Sequence, residues 1–113
     1  MTYKTTREAS LRQEKAIAKT IGGKRTPNSG ATKFSKGDIT CNNMLIEAKT
    51  CMSPKTSFSI KKAWLEKLRE ERFAMSKMYS ALCFDFGDEG ARYYIIDEPT
   101  FLEFKDYVER EVD

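Results

Sequence analysis

Residues 36–50 constrain the fold most strongly, because they form two short β-type runs around one tight turn. The turn is Asn42-Asn43, a dipeptide that tolerates the positive φ of a two-residue hairpin loop. Residues directly opposite each other in such a hairpin have Cβ atoms about 5 Å apart. A loop centred on the two asparagines fixes four such pairs: Cys41 with Met44, Thr40 with Leu45, Ile39 with Ile46, and Asp38 with Glu47.

The same register sorts the hairpin residues by face, because side chains alternate along a strand. Glu47 and Lys49 share one face with Asp38. The other face takes the apolar side chains Ile39, Ile46 and Ala48. Like charges directly opposite each other destabilise a strand pair, and such a conflict without compensation is typical of a functional site. A bound cation would remove it. Mg²⁺ is held by carboxylates and substrate phosphates, so the cluster indicates metal-assisted phosphodiester hydrolysis.

This segment resembles the D…ExK signature of the PD-(D/E)XK, or restriction-endonuclease-like, nucleases. Gly37 and Asp38 are followed by eight residues and then by Glu47, Ala48 and Lys49. The motif follows a predicted N-terminal helix and precedes a long helix and two strands, which is the family's αβββαβ order with one further helix. The resemblance covers roughly residues 7–97 and is strongest to the small Holliday junction resolvases of archaea and phages.

The resemblance implies a Mg²⁺-dependent DNA endonuclease, with Mn²⁺ able to substitute. Asp38 and Glu47 would hold the metal, helped by Glu14 and the backbone carbonyl of Ala48, and Lys49 would orient or activate the attacking water. The implied fold is a single α/β domain with a four-stranded mixed sheet flanked by helices. Resolution of a four-way junction requires two symmetric nicks, so this function also implies a two-fold homodimer.

Two other functions stay open on the sequence. The same chemistry could serve nicking, repair or restriction-type cleavage of duplex or flapped DNA, since a fold does not fix a substrate. A non-catalytic DNA-binding module would use its basic residues for phosphate and its carboxylates for structure. Metal dependence separates the two classes, because Asp38→Asn should abolish cleavage by a nuclease and remove nothing catalytic from a binding module.

Composition excludes several other chemistries. At 113 residues the chain is expected to be one domain with a single core. It contains no histidine, which excludes Ser-His-Asp and Cys-His triads and Cys₂His₂ zinc sites. Three cysteines without CxxC spacing favour free thiols in a reducing compartment. With no apolar signal core or membrane-length run, we expect a cytoplasmic protein, in the host cytoplasm if it is phage-encoded.

Residues 7–21 predict the first helix, which glycines 22 and 23 end. Its expected buried stripe is Leu11, Ala18 and Ile21. Glu14 falls in that stripe. A lone Glu on a charged helix is usually a rim residue paired with a neighbour such as Lys15 or Arg7, whereas the resemblance implies a third acidic group at the metal site.

Charge is distributed unevenly, although the net charge is only +3. Residues 22–37 hold four bases and no acid, whereas residues 97–113 hold seven acids and two bases. A connection as long as 22–37 is usually functional or disordered. Because it leads directly into Asp38, we expect it to contact DNA phosphates rather than serve only as a solvated loop. Its candidate DNA contacts are Lys24, Arg25, Ser29, Lys33 and Lys36.

A second helix is predicted over residues 59–77, with Ser59 as its N-cap. Trp64 is expected in the core rather than stacked on bases. Lys61 and Lys62 stand at the start of this helix, where the resemblance implies a basic residue that reaches toward the active site and DNA. Solvent-exposed helix charge is the ordinary alternative for both.

Strands are predicted over residues 79–86 and 91–97, around a turn bounded by glycines. Asp85 is expected to be a surface or edge residue and not a further metal ligand. The last helix is predicted over 99–112, with Pro at an early position and apolar residues over a wide arc. That arc favours either a cap on the sheet or part of a dimer interface.

Overall fold

The computed structural model describes residues 5–26, 39–87 and 90–110. Within them the chain forms three helices and five strands. Their order is α1 (Thr6–Ile21), β1 (Lys24–Arg25), β2 (Ile39–Thr40), β3 (Met44–Lys49), α2 (Lys62–Ala74), β4 (Tyr79–Phe84), β5 (Tyr93–Ile95) and α3 (Glu98–Arg110).

The strands form one mixed sheet in the order β1-β2-β3-β4-β5. β3 and β4 are parallel and are joined through α2, while the other neighbours are antiparallel. The expected α/β class is therefore confirmed. The expected number of four strands is wrong, because β1 forms inside the segment that was predicted to be a loop.

Two glycines explain how β1 arises so soon after α1. Gly22 has φ 71°, which reverses the chain at the helix end, and the N–H of Gly23 donates to the carbonyl of Ala18. A Cβ on Gly23 would lie 2.8 Å from Cγ2 of Ile39, so only glycine lets the chain close on β2. The strand itself has two exposed basic residues and no apolar alternation. The pattern of hydrophobic residues in the sequence therefore does not predict β1.

α1 begins with a capping box in which Thr5 and Glu8 satisfy each other's backbone N–H groups. The side chains that it buries are Ala9, Gln13 and Ile17. Ala18 and Ile21 pack at the margin of the core, as expected, whereas Leu11 is only half-buried. The buried face of α1 is therefore centred on these three residues, one of which, Gln13, is polar.

The core has one cluster on each face of the sheet. The α1-side cluster consists of Ile17, Ile39, Ile46, Ala81 and Cys83. The α2-side cluster consists of Leu45, Leu68 and Leu82, with Trp64 and Phe84 packed against it. All three cysteines are free thiols, as expected, and Cys51 and Cys83 are buried.

α2 begins at Lys62 and not at Ser59. Its N-cap residue is Lys61, which forms no side-chain cap hydrogen bond, so the predicted cap at Ser59 is wrong. Phe58 stacks on Phe84 with ring centroids 4.7 Å apart and also contacts Trp64 at 6.2 Å. Aromatic packing onto β4 holds the chain out of the helix at this point.

α3 follows β5 and is capped by Asp97, whose carboxylate accepts from the N–H of Thr100 at 3.0 Å. No side chain of α3 is buried. Of the two roles expected for this helix, a cap on the sheet is therefore not realised within the described chain. No helix in the described ranges has the length and apolar character needed to cross a membrane.

Candidate active site

The hairpin has the register that the sequence predicts. Ile39 pairs with Ile46 and Thr40 with Leu45. The N–H of Cys41 donates to the carbonyl of Met44 at 2.9 Å, which closes the turn. Asp38 lies outside the described residues, so its position opposite Glu47 stays a prediction.

The hairpin side chains divide between the two faces as expected. Ile46 and Ala48 pack on the α1 side, so Glu47 and Lys49, which alternate with them, are directed to the α2 side. Glu47 and Lys49 are both half-buried. One partly shielded face therefore carries a carboxylate and an amine two positions apart on the same strand.

Trp64 on α2 forms the surface on which Lys49 rests. Nζ of Lys49 lies 4.3 Å from the centroid of the Trp64 ring, and Nζ of Lys61 lies 5.7 Å from it. Two ammonium groups thus share one ring, an arrangement that the negative π-face stabilises. Trp64 packs on the α2-side cluster, which confirms its expected core role. Of the two candidate lysines, Lys61 contacts the same Trp64 ring as Lys49, while Lys62 is an exposed first residue of α2.

Gln13 holds the backbone at the end of β3 from the other face. Its Nε2 donates to the carbonyl of Lys49 at 2.9 Å, and its Oε1 accepts from the hydroxyl of Thr50. The side chain is buried. Sequence reasoning missed this residue. The signal that could have revealed it is the spacing of Ala9, Gln13 and Ile17 at intervals of four, which places one amide in an otherwise apolar helical stripe.

Glu14 belongs to α1, on the face of the sheet opposite to that of Glu47 and Lys49. Its Oε1 lies 3.4 Å from Nε of Arg25, which forms an ion pair between α1 and β1. Arg25 stands opposite Ile39, whose side chain belongs to the α1-side cluster. Glu14 and Arg25 therefore meet beside β1, on the α1 side.

Lys24 and Arg25 are described, and both are exposed on β1. Lys24 stands opposite Thr40, which in turn stands opposite Leu45 of the α2-side cluster. Since opposed residues share a face, Lys24 is directed to the face of Glu47 and Lys49. The candidate DNA contacts Ser29, Lys33 and Lys36 lie outside the described residues.

Mg²⁺ prefers oxygen ligands, and only some of the ligands predicted for this site belong to the described residues. Across residues 5–26, 39–87 and 90–110, no three Cys, Asp or Glu side chains are grouped so that they could hold a metal ion. Glu47 fits the role of one carboxylate ligand, because it is half-buried and shares a face with an amine. The predicted second carboxylate is Asp38, which these ranges do not include.

An open cleft of about 320 Å³ lies where β3 and β4 end, on the α1 side. Oδ1 of Asp85 accepts from the N–H of Gly87 at 2.8 Å, so this carboxylate closes a turn and is not grouped with Glu47. The Cys51 thiol lies 3.6 Å from the carbonyl oxygen of Asp85, and burial raises its pKa. The remaining lining residues include two guanidinium groups, on Arg12 and Arg92.

Comparison of the chain with protein-family models, with curated proteins and with solved structures finds no match in any of the three.

Proposed function

We propose that this protein is a Mg²⁺-dependent DNA endonuclease that introduces paired nicks into four-way junctions. The observation that carries the proposal is the placement of Glu47 and Lys49 on one half-buried face of β3. They lie in the hairpin register from which Asp38 is predicted to oppose Glu47. A carboxylate pair can hold Mg²⁺ beside a substrate phosphate, and an adjacent amine can orient the attacking water, so this grouping suits phosphodiester hydrolysis.

The order of elements supports the proposal independently of the site. The first six described elements run helix, three strands, helix, strand. This is the αβββαβ order of the restriction-endonuclease-like nucleases that the sequence resembles. β5 and α3 then add a strand and a helix.

The residues of the proposed active site have different roles in hydrolysis. Asp38, Glu47 and the Ala48 carbonyl would hold the Mg²⁺, which supplies Lewis-acid stabilisation of the developing negative charge when it is bound. Glu14, which the resemblance implies as a further acidic group, lies on the other face of the sheet in an ion pair with Arg25, and the proposal therefore assigns it no metal contact. Lys49 would orient the attacking water, and its ammonium is restrained for that task by the Trp64 ring at one end and by the Gln13 contact at its backbone.

Phosphate contacts on both sides of the scissile bond are proposed for the basic residues around this face. Lys24 and Lys61 are directed to the α2 side, where Glu47 and Lys49 lie. Such contacts position the substrate without reading its sequence. The proposed phosphate contacts on this side are Lys24, Lys61 and Lys62, together with Ser29, Lys33 and Lys36 from outside the described residues, whereas the candidate Arg25 lies on the α1 side.

The test is cleavage of a labelled four-way junction beside a linear duplex of matched sequence, with Mg²⁺ or with EDTA. The unmodified protein is compared with Glu47→Gln, and Glu66→Gln serves as the matched control because Glu66 is exposed on α2. We expect paired nicks near the branch that require both Mg²⁺ and Glu47 and survive Glu66→Gln.

Two other results would redirect the proposal. Equal cutting of both substrates would retain the nuclease and remove the junction selectivity, in favour of nicking, repair or restriction-type cleavage. Tight binding of DNA without cleavage in Mg²⁺ or Mn²⁺ would contradict the nuclease and favour a non-catalytic DNA-binding module.

A further inference from the structure

Five aromatic rings form a continuous layer on the α2 side of the sheet. Phe58 stacks on Phe84 with ring centroids 4.7 Å apart and lies 6.2 Å from the ring of Trp64. Phe84 in turn lies 5.5 Å from Phe86 and 5.8 Å from Tyr93, and the rings of Phe86 and Tyr93 are 5.8 Å apart. We call these five residues the aromatic platform. It connects α2 with the edge of the sheet, because β5 is the last strand in the sheet order.

The strand register places the aromatic platform beside the candidate active site. Lys49 of β3 stands next to Phe84 of β4, and Phe84 stands next to Tyr93 of β5. Neighbouring strands are about 4.8 Å apart, so the backbone of Tyr93 lies about 10 Å from that of Lys49. The Lys49 ammonium itself rests on a platform ring, 4.3 Å from the centroid of Trp64. The platform therefore begins at the proposed catalytic amine and extends away from it.

One ring of the platform is open to solvent. Tyr93 is 49% exposed, whereas the other four platform residues are half-buried. α2 covers the opposite end of the parallel strands, where Leu68 packs against Leu45 and Leu82. The platform thus ends in an accessible aromatic face at the edge of the sheet.

The charges beside the platform indicate the chemistry of its occupant. Lys49 and Lys61 both place their ammonium groups near the Trp64 ring, and Lys61 is exposed. The carboxylate of this face, Glu47, lies in the next row, beside Leu82, and is the proposed Mg²⁺ ligand. Aromatic rings next to cationic side chains are the combination with which proteins bind single-stranded nucleic acid, because the rings stack on bases while the cations contact phosphates. A purely apolar partner would leave the two ammonium groups without a counter-charge.

We propose that the aromatic platform binds one unpaired nucleobase beside the scissile phosphate, with Tyr93 as the accessible ring. A base inside a duplex cannot stack on a protein ring until it leaves the base stack, and the cost is least for a base that is already unpaired. The proposal rests on the proposed function and deepens it. It defines the substrate class as DNA that carries an unpaired nucleotide at a branch, flap or bulge, in preference to continuous duplex.

The test is binding of the full-length protein to two fluorescein-labelled duplexes of the same sequence, one fully paired and one with a single unpaired adenine. Fluorescence anisotropy in EDTA measures the affinity without cleavage by a metal-dependent nuclease. We expect the unmodified chain to prefer the bulged duplex. Tyr93→Leu keeps an apolar side chain but removes the π-face, so it should weaken binding to the bulged duplex about fivefold or more and leave binding to the paired duplex unchanged.

Tyr94→Leu is the matched control on the same strand. Tyr94 is 41% exposed and pairs with Cys83 of the α1-side cluster, so it belongs to the other face of the sheet. We expect this variant and Tyr93→Trp to retain the preference, and circular dichroism checks the fold of each. A second readout places 2-aminopurine at the unpaired position. Stacking on an aromatic ring should quench its fluorescence with the unmodified chain and with Tyr94→Leu, but not with Tyr93→Leu.

Three results would overturn the proposal: equal affinity of the unmodified chain for the two duplexes, no binding to either, or a preference that survives Tyr93→Leu. Absence of 2-aminopurine quenching with the unmodified chain would also overturn it, even where a variant fails to fold. Equal affinity leaves the proposed nuclease intact, because cleavage is measured separately in Mg²⁺. Conversely, a preference that depends on Tyr93 in a chain that cuts no DNA would support the platform and contradict the nuclease.

Discussion

Both the side-chain ammonium and the backbone carbonyl of Lys49 contact neighbouring residues, and these contacts restrict how far Lys49 can move at the candidate site. Its ammonium lies over the Trp64 ring on the α2 side, and its carbonyl accepts from Gln13 on the α1 side. A long flexible side chain is thus confined by one aromatic and one amide from different elements. Confinement of this kind lowers the conformational entropy that a catalytic amine would otherwise lose on binding substrate.

Gln13→Met tests how much the amide contributes. Methionine keeps the volume of the side chain but leaves the Lys49 carbonyl and the Thr50 hydroxyl without this partner. We expect the free energy of unfolding to fall by about 1–3 kcal/mol, the cost of unsatisfied buried polar groups. Urea denaturation measures it, with Lys15→Met on the exposed side of α1 as the control. An equal loss in both variants would contradict a specific role of the amide.

Some contacts between individual residues could be predicted from the sequence, and others could not. The pairing of Ile39 with Ile46 was predictable because a two-residue turn and a period of two leave one register. The ion pair of Glu14 with Arg25 was not predictable. Arg25 reaches it only through β1, a strand whose existence depends on how Gly22 and Gly23 turn the chain.

At the scale of elements, two glycines with positive φ connect segments in different ways. Gly22 has φ 71° and open space around it, so an added Cβ would meet nothing within 4 Å. Gly87 has φ 83°, and its Cβ would collide with the carbonyl of Ser53 and with Cβ of Cys51. The first glycine is needed for its conformation alone. The second is also needed so that the segment after β4 can pack on the segment after β3.

Substituting each glycine by alanine separates the two requirements. Gly22→Ala should lower the free energy of unfolding by about 1–2 kcal/mol, the cost of a left-handed conformation. Gly87→Ala should lower it further, because the backbone of residue 53 must move as well. Thermal or urea denaturation of both variants measures the difference. Equal losses would indicate that the contact with Ser53 relaxes at no cost.

α3 depends on a titratable cap. The side-chain hydroxyl and the backbone N–H of Thr100 hydrogen-bond the Asp97 carboxylate and lower its pKa. A folded-state pKa below the unfolded one means that this stabilisation is fully present above the unfolded pKa and is lost as pH falls through the folded pKa. We expect hydrogen exchange of the Thr100 amide, corrected for intrinsic rates, to lose protection toward acid.

Two variants check that Asp97 is the source of this pH dependence. Asp97→Asn keeps a cap acceptor without the charge and should remove the acid sensitivity while retaining most of the helix. Asp97→Ala should weaken α3 by about 1 kcal/mol at neutral pH. Acid sensitivity that persists in Asp97→Asn would assign the effect to another carboxylate.

Element boundaries were less predictable than element types. The start of α2 was expected at Ser59, because serine is a favoured cap, but the helix begins at Lys62. Stacking of Phe58 on Phe84 is a contact between distant residues, and it outweighs a local preference that is worth about 1 kcal/mol. The strand pair after α2 was predicted in type and order, yet β4 and β5 are each shorter than their apolar runs.

At the scale of the whole molecule, the sheet is covered by α1 on one face and α2 on the other, and α3 adds nothing buried to either core. The α/β class followed from alternating periods of two and of 3.6 residues along the chain. The orientation of α3 did not follow, because the amphipathic pattern of a helix is the same whether its apolar side covers its own sheet or a partner. The exposure of the apolar α3 residues Phe101, Phe104, Tyr107 and Val108 therefore becomes known only from the three-dimensional arrangement.

Removal of α3 tests whether this helix contributes to the core of the chain. A chain that ends at Asp97 should unfold cooperatively, with a free energy of unfolding within about 1 kcal/mol of that of the unmodified chain, because no α3 side chain is buried. Urea denaturation at one protein concentration measures both. A truncated chain that loses its cooperative transition would contradict this expectation, because α3 would then be needed for the core of the single chain.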